Sequence, residues 1–130
     1  MLKKPVISIV DDDKSVREGM MDLLKAMDFA VQAFDGAEQF LRSNSRHNTS
    51  CLITDVRMPG MSGVELYERL EASGNVIPTI LITAFRREGD RERALKAGVA
   101  GYLTKPFSED EMLACIRSAL QHREAGGSGP

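Results

Sequence analysis

Residues 51–73 read CLITDVRMPGMSGVELYERLEAS, and this stretch shows the pattern that the rest of the chain repeats. The short apolar run CLITD (51–55) predicts a buried strand. The run GVELYERLEAS (63–73) predicts a helix, which Gly74 and Asn75 end. A strand followed by a helix is the unit from which parallel sheets are built.

The same alternation continues on both sides of this stretch. Further strands are predicted at 5–10, 29–34, 79–83 and 100–104. Further helices are predicted at 14–27, 37–43, 88–97 and 108–121. Five strands joined by helices must run parallel with right-handed crossovers, so the expected fold is an open, doubly wound α/β sheet.

Two of the helices carry specific signals. The first has an apolar stripe, formed by Val16, Met20, Leu23, Leu24 and Met27. The last begins with Ser108 as N-cap and Glu111 three residues later, which predicts a capping box. Gly98 is expected to end the fourth helix.

Composition and charge restrict the function classes. The 130 residues suit one domain, and the net charge of −2 gives this domain no electrostatic basis for binding nucleic acid. No apolar run is long enough to cross a membrane, and no signal peptide is recognisable, so we expect a cytoplasmic protein. Cys51 and Cys115 lie in apolar runs and are expected to be core residues. Residues 1–122 form the predicted domain, and the Gly-rich 123–130 is expected to be a flexible linker or an appended tail.

Polar side chains follow the predicted strands where each strand ends. The carboxyl ends of parallel strands meet at one edge of a sheet, at the point where the strand order reverses. Carboxylates gathered there would repel one another unless a cation or shared protons relieve them, and Mg²⁺ suits such oxygen ligands. The side chains in question are Asp11, Asp12 and Asp13 after strand one, Asp55 at the end of strand three, Thr83 at the end of strand four and Lys105 after strand five.

The presence of Thr83 and Lys105 beside these acids indicates that a second anion binds there. A phosphoryl group fits, because a lysine neutralises its oxygens and a hydroxyl donates a hydrogen bond. Asp55 could then attack phosphorus, since carboxylates act as nucleophiles of this kind. The structural alternatives are that Asp55 caps the following turn, that Asp13 caps the first helix, and that Thr83 and Lys105 are ordinary strand and surface residues.

Four motifs together resemble the receiver domain of two-component response regulators: IVDDDKSVR, LITDVRMPGMSGVEL, ILITA and GYLTKPF. The similarity covers roughly residues 5–122. It is nearest to the receivers of nitrogen-fixation regulators, which are attached to a helix-turn-helix DNA-binding domain. The resemblance implies a five-stranded (βα)5 flavodoxin-like fold with strand order 2-1-3-4-5.

The resemblance also implies a role for each matching residue. Asp55 matches the phosphoacceptor, and Tyr102 matches an aromatic residue that moves between exposed and buried positions, although a half-buried strand tyrosine is the plain alternative. Arg57 and Phe85 are expected to flank the phosphate and to affect its access to water. The remaining matches are the Mg²⁺ ligands Asp11, Asp12, Asp55 and the backbone carbonyl of Arg57, the phosphate-binding and switch residues Thr83, Ala84 and Lys105, and a cis peptide bond between Lys105 and Pro106.

The function implied by the resemblance is a switch, not an enzyme acting on a separate substrate. A sensor histidine kinase would phosphorylate Asp55, small phosphodonors such as acetyl phosphate could substitute for it, and the domain would promote its own phosphorylation and dephosphorylation. The face made by the fourth helix, fifth strand and fifth helix would then change and could form a homodimer. The expected output is transcription through a C-terminal DNA-binding domain, and the alternative is a stand-alone receiver that binds a protein partner.

An enzyme is the competing hypothesis. Asp11-x-Asp13 after a strand resembles the start of haloacid-dehalogenase-type phosphatases, with Asp11 as nucleophile and Asp13 as acid and base. Such phosphatases need a second acidic pair at a strand end after the lysine. Here only Glu109 and Asp110 follow, at the start of a predicted helix.

Overall fold

The structure is a computed structural model that describes residues 4–128, with side chains up to residue 121. The strands are β1 (Val6–Val10), β2 (Ala30–Phe34), β3 (Cys51–Asp55), β4 (Thr79–Thr83) and β5 (Gly101–Thr104). The helices are α1 (Lys14–Ala26), α2 (Ala37–Arg42), α3 (Gly63–Ala72), α4 (Asp90–Ala97) and α5 (Glu109–Ser128). Each predicted strand and helix is present, with boundaries shifted by a residue or two except at the end of α5.

The five strands form one parallel sheet in the order β2-β1-β3-β4-β5. This confirms the doubly wound, flavodoxin-like fold and the strand order. The order reverses between β1 and β3, and Val10 lies opposite Thr54 in that pair. Asp11, which follows β1, and Asp55, the last residue of β3, therefore lie side by side at this edge of the sheet.

Both faces of the sheet are covered by apolar side chains. One core packs α1 and α5 on the sheet around Ile9, Leu24, Ile53 and Ile116. The other packs α2 and α3 on the opposite face around Phe40, Leu52 and Leu66, with a smaller cluster at Tyr67, Leu81 and Val99 beside α4. Burial on both faces explains why the three central strands, β1, β3 and β4, are nearly continuous apolar runs, whereas burial alternates along the edge strand β5.

Side-chain caps define the starts of three helices. Asp13 caps α1 and accepts hydrogen bonds from the backbone N–H groups of Ser15 at 2.9 Å and Val16 at 3.2 Å. The predicted capping box of α5 is present, with Ser108 and Glu111 bonded reciprocally at 2.9 and 3.0 Å. A second box, Ser62 with Glu65, starts α3 and was not predicted, although its S-x-x-E spacing is readable in the sequence.

The structure differs from the sequence prediction in three places. The helix α4 starts at Asp90 and not at residue 88, because Gly89 adopts a left-handed φ of 85° at the N-cap. A 3₁₀ helix, Asn44–His47, was not predicted, and Arg46 holds it by donating to the carbonyls of Leu41 and Ser43. The helix α5 continues to Ser128. The propensity of Arg-Glu-Ala at 123–125 explains the first part of this extension, and that of Gly126 and Gly127 does not explain the rest. Residues 129–130 lie outside the described residues, and the linker remains a prediction.

The cysteines are core residues, as predicted. Cys51 is fully buried on β3, and this burial raises the pKa of its thiol to about 12. Cys115 is half-buried on α5 and packs against the same core. In the described part of the chain, no helix is both long and apolar enough to cross a membrane.

Gly63 permits the closest approach of a helix to the strand that ends in Asp55. Its N–H donates to the carbonyl of Val56 at 3.0 Å. A Cβ at Gly63 would lie 2.3 Å from the backbone oxygen of Asp55 and 3.2 Å from Cγ2 of Thr54. Because the nearest atoms belong to the backbone, a side chain here would displace the end of β3.

We expect Gly63→Ala to destabilise the protein by about 1–3 kcal/mol in urea unfolding, because the added methyl group overpacks the β3–α3 contact. Gly19→Ala is the matched control. No atom lies within 4 Å of a Cβ at Gly19, which is inside α1, so this change should stabilise the protein by about 0.5–1 kcal/mol. Equal effects of the two substitutions would contradict the close approach at Gly63.

Candidate functional site

The sheet brings three carboxylates together at the carboxyl ends of β1 and β3. Oxygen atoms of Asp11, Asp12 and Asp55 all lie within 4.8 Å of one another. Asp11 is buried, Asp55 is half-buried and Asp12 is exposed. The site is therefore closed on the side of Asp11 and open to solvent on the side of Asp12, so that a ligand can enter from solvent.

The backbone around Asp11 holds its carboxylate in place. The N–H of Asp13 donates to Oδ1 of Asp11 at 2.9 Å, and the N–H of Asp11 donates to the carbonyl of Phe34 at 3.2 Å. The guanidinium of Arg17 donates to the carbonyl of Asp11 at 2.8 Å. The sequence analysis gave Arg17 no contact of its own, although it ends the motif IVDDDKSVR, because an arginine early in a helix usually lies on the solvated surface.

Lys105 approaches the acids from the end of β5. Its Nζ lies 3.9 Å from Oδ2 of Asp11, and its side chain is 29% exposed. The N–H of Lys105 donates to the carbonyl of Thr83 at 2.8 Å, which ties the lysine to the neighbouring strand. The peptide bond between Lys105 and Pro106 is cis, as the resemblance implied.

Burial raises the pKa of both inner carboxyl groups. For Asp11, the hydrogen bond from Asp13 and the charge of Lys105 oppose the effect of burial without cancelling it. For Asp55, burial is reinforced by the negative charge of Asp11 and opposed by Lys105. Charging these groups together therefore costs free energy, and a cation among them would recover part of that cost.

Asp55 does not cap the helix that follows it. Ser62 is the N-cap of α3, and the carboxylate of Asp55 accepts one long bond, 3.4 Å, from the N–H of Arg57. The alternative that Asp55 caps the following turn has this one 3.4 Å contact in its favour. Asp55 keeps most of its hydrogen-bonding capacity for a ligand.

Thr83 is buried, and its hydroxyl points to the backbone of Phe85. It accepts from the N–H of Phe85 at 3.1 Å and lies 3.4 Å from the carbonyl of the same residue. The structure thus places Thr83 at the expected strand end with its hydroxyl engaged locally. Ala84, which follows it, is exposed.

Tyr102 is half-buried on β5 and borders a crevice of about 370 Å³ between α3 and α4. Burial, followed by the charge of Asp90, raises the pKa of its hydroxyl. Val56, Tyr67 and Leu81 form the floor of this crevice. The position fits the half-buried strand tyrosine, and movement of the ring stays a prediction.

Arg57 and Phe85 are in direct contact. The guanidinium carbon of Arg57 lies 4.2 Å from the centroid of the Phe85 ring, which is a cation–π arrangement on a side chain that is 53% exposed. The two residues follow Asp55 and Thr83 by two positions. The sequence does not predict this contact, because it depends on the conformations of the loops that follow β3 and β4.

The geometry does not support the phosphatase alternative. Asp13, which would serve as its acid and base, uses its carboxylate to cap α1. Glu109 and Asp110 lie in the first turn of α5 and not at a strand end, so the required second acidic pair is missing from the described residues.

The chain is similar to known proteins over nearly its whole length. The family model of the response regulator receiver domain matches residues 7–117. The response regulator protein TodT of Pseudomonas putida is 40% identical over 116 residues, which cover 89% of this chain and 51% of TodT. The transcriptional regulatory protein FixJ of Bradyrhizobium diazoefficiens is 35% identical over 124 residues, which cover 95% of this chain and 60% of FixJ. The chain thus spans about half the length of the curated relatives it matches.

Solved structures agree with these relatives. The response regulator StyR superimposes with a TM-score of 0.86 at 44% identity, covering 95% of this chain and 62% of StyR. The crystal structure of FixJ-N superimposes with a TM-score of 0.83 at 35% identity, covering 93% of this chain and 97% of FixJ-N. Since the fold, the strand-end acids and the family model all agree, the chain belongs to the response regulator receiver domain family and is a signalling domain of two-component systems.

Proposed function

We propose that Asp55 is the phosphoacceptor of this receiver and takes its phosphoryl group from the phosphohistidine of a sensor histidine kinase in the cytoplasm. One observation carries the proposal: the half-buried Asp55 carboxylate makes a single weak hydrogen bond, and it lies beside buried Asp11 and its partner Lys105. A nucleophile needs an unengaged carboxylate, and phosphoryl transfer needs positive charge close to it.

Each transfer to Asp55 forms one bond to phosphorus and breaks another. A carboxylate oxygen of Asp55 attacks phosphorus, the phosphorus–nitrogen bond of phosphohistidine breaks, and its electron pair stays on the imidazole. With acetyl phosphate as donor, a phosphorus–oxygen bond breaks and acetate leaves. Lys105, which lies near Asp11, can bind an oxygen of the incoming phosphoryl group. In the reverse step water attacks phosphorus, the phosphorus–oxygen bond to Asp55 breaks, inorganic phosphate leaves and the carboxylate is restored. The domain thus promotes its own phosphorylation and dephosphorylation and acts as a switch.

The acidic cluster fits Mg²⁺. Its donors are carboxylate oxygens within 4.8 Å of one another, and burial raises the pKa of Asp11 and Asp55, so a cation would favour their ionised form. Asp11, Asp12, Asp55 and the carbonyl of Arg57 would hold the ion, with water completing its shell. When bound, Mg²⁺ would neutralise charge on the transferring phosphoryl oxygens.

Phosphorylation would act on the structure through Thr83 and Tyr102. The Thr83 hydroxyl would exchange its contact with the Phe85 backbone for a phosphoryl oxygen, and Tyr102 would turn toward the space that Thr83 leaves. The nearby helix α4 is suited to move: within the described chain it has no buried residue, and the crevice lies beneath it. Two packings close in energy are what such a switch requires.

The output surface we propose is the face formed by α4, β5 and α5. A homodimer through this face after phosphorylation would bring two copies of an attached domain together. FixJ is a transcriptional regulator, and we propose transcription through a C-terminal DNA-binding domain as the output here too. The net charge of −2 gives the receiver no electrostatic basis for binding nucleic acid, which supports placing DNA binding in that further domain. A stand-alone receiver that binds a protein partner through the same face is the second candidate.

The first test is intact mass after incubation with acetyl phosphate. We expect the wild-type protein to gain one phosphoryl group in the presence of Mg²⁺ and Asp55→Asn to gain none, because an amide cannot attack phosphorus. Asp22→Asn, the same chemical change at an exposed position of α1, is the control and should be phosphorylated like the wild type. Modification that persists in Asp55→Asn and disappears in Asp11→Asn would point to the phosphatase hypothesis instead.

The raised pKa of Asp55 predicts a gain in stability when its charge is removed. The folded pKa lies above the ordinary value of 3.8, so the unfolded chain ionises first as the pH rises and wild-type stability falls between 3.8 and the folded value. Without Mg²⁺ at pH 7, Asp55→Asn should therefore unfold at a higher Tm than the wild type.

A stability difference of about 1 kcal/mol corresponds to roughly 3–6 °C in Tm for a domain of this size. The advantage of Asp55→Asn should disappear below pH 3.8 and should shrink when Mg²⁺ is added at pH 7. Calorimetry across pH measures both effects. An advantage that is independent of pH and Mg²⁺ would show that the charge of Asp55 is not its cause.

A further inference from the structure

Arg17 links the first helix to the loop that carries the acidic pair. It lies in α1 and is half-buried, and its guanidinium reaches back to donate to the carbonyl oxygen of Asp11 at 2.8 Å. Its backbone N–H donates to the carbonyl of Asp13 at 3.0 Å, as part of the first turn. Main chain and side chain of one residue therefore hold both ends of the segment 11–13.

The bond from Arg17 is one of three hydrogen bonds that Asp11 makes with described residues. The N–H of Asp11 is bound to Phe34, Oδ1 accepts from Asp13, and the carbonyl accepts from Arg17. Among the residues whose side chains are described, none donates a hydrogen bond to Oδ2, which lies 3.9 Å from Nζ of Lys105. Three bonds thus fix the orientation of Asp11 and leave one oxygen directed toward the site.

The charge of Arg17 is used in an unusual way. Among residues 4–121, the ion pairs of the chain involve Lys4, Lys14, Arg93 and Lys105, and none involves Arg17. Its guanidinium instead binds a backbone carbonyl one residue away from an exposed acid, Asp12. A water molecule could satisfy that carbonyl equally well, so the contact is better explained by what it positions than by the need for a donor.

We propose that Arg17 is a positioning residue for the cation site, which it serves by holding the Asp11 carbonyl and so fixing the direction of the Asp11 and Asp12 carboxylates toward Asp55. The inference rests on the proposed function, since it assumes that these acids bind Mg²⁺. In this role Arg17 would act through the backbone of Asp11 and would contact neither the ion nor the phosphoryl group. Residues that orient metal ligands from behind commonly change metal affinity by about 10–100-fold when they are replaced.

The experiment compares Arg17→Met with Lys14→Met. Both remove one positive charge from the first turns of α1, and the side chain of Lys14 is 79% exposed and pairs only loosely with Glu18 at 3.8 Å. Affinity for Mg²⁺ is measured by calorimetric titration and affinity for Mn²⁺ by electron paramagnetic resonance. We expect Arg17→Met to weaken binding about tenfold and Lys14→Met to change it less than about twofold.

The Tm without metal separates positioning from folding. Positioning predicts that Arg17→Met binds more weakly while its metal-free Tm stays near that of the wild type. Arg17→Lys retains the charge and a donor on a flexible stem and should recover part of the lost affinity. If Arg17→Met does not fold, Arg17→Lys still tests the inference. We expect Arg17→Lys to bind Mg²⁺ more weakly than the wild type at a similar Tm.

Two results would overturn the inference. Binding within about twofold of the wild type in both Arg17 variants would show that the contact does not position the acids. Binding lost only in proportion to the unfolded fraction would show a purely structural role. In either case, wild-type protein that binds Mg²⁺ and becomes phosphorylated leaves the proposed function intact, whereas wild-type protein that does neither removes both.

Discussion

The parallel pairing of β1 with β3 places two poorly solvated carboxylates, Asp11 and Asp55, side by side at one edge of the sheet. Burial raises the pKa of both, so their joint ionisation opposes folding. Two groups act against this cost at Asp11: the N–H of Asp13 donates to its carboxylate, and the ammonium of Lys105 lies 3.9 Å away. The negative charge of the site is only partly compensated, and the proposed Mg²⁺ and phosphoryl group would complete the arrangement.

The hydrophobic core offsets the free-energy cost of the buried carboxylates, and its packing does not depend on the site. Both faces of the sheet are packed with fully buried residues such as Ile9, Leu52 and Ile116. Gly63 brings α3 against the end of β3, so the backbone that carries Asp55 is held from the helix side as well. A rigid frame of this kind keeps the carboxylates in place although they repel one another, as the proposed phosphoryl transfer would require.

Packing is uneven across the sheet, and it is loosest at α4, the helix that we propose moves on phosphorylation. The helices α1 and α5 cover one face with a continuous core, whereas α4 has no buried residue within the described chain and lies above a crevice. The C-terminal end of α4 is held, because the hydroxyl of Tyr67 lies 3.0 Å from the carboxylate of Glu71 and 3.3 Å from the carbonyl of Ala97. A helix attached at one end and loosely packed along its length can shift at a small free-energy cost.

The sequence by itself determined the strand–helix alternation, the doubly wound class and the residues at the strand ends, because apolar periodicity and the direction of parallel strands are local or topological properties. The resemblance added the strand order and the cis bond at Pro106, which the structure contains. Only the tertiary structure decided that Arg17 holds Asp11, that Arg57 stacks on Phe85 and that the Thr83 hydroxyl binds the Phe85 backbone. These contacts depend on the paths of loops and on side-chain rotamers between segments distant in sequence or outside any regular repeat. No periodic pattern records such contacts, and the same residue types would otherwise be ordinary surface or strand positions.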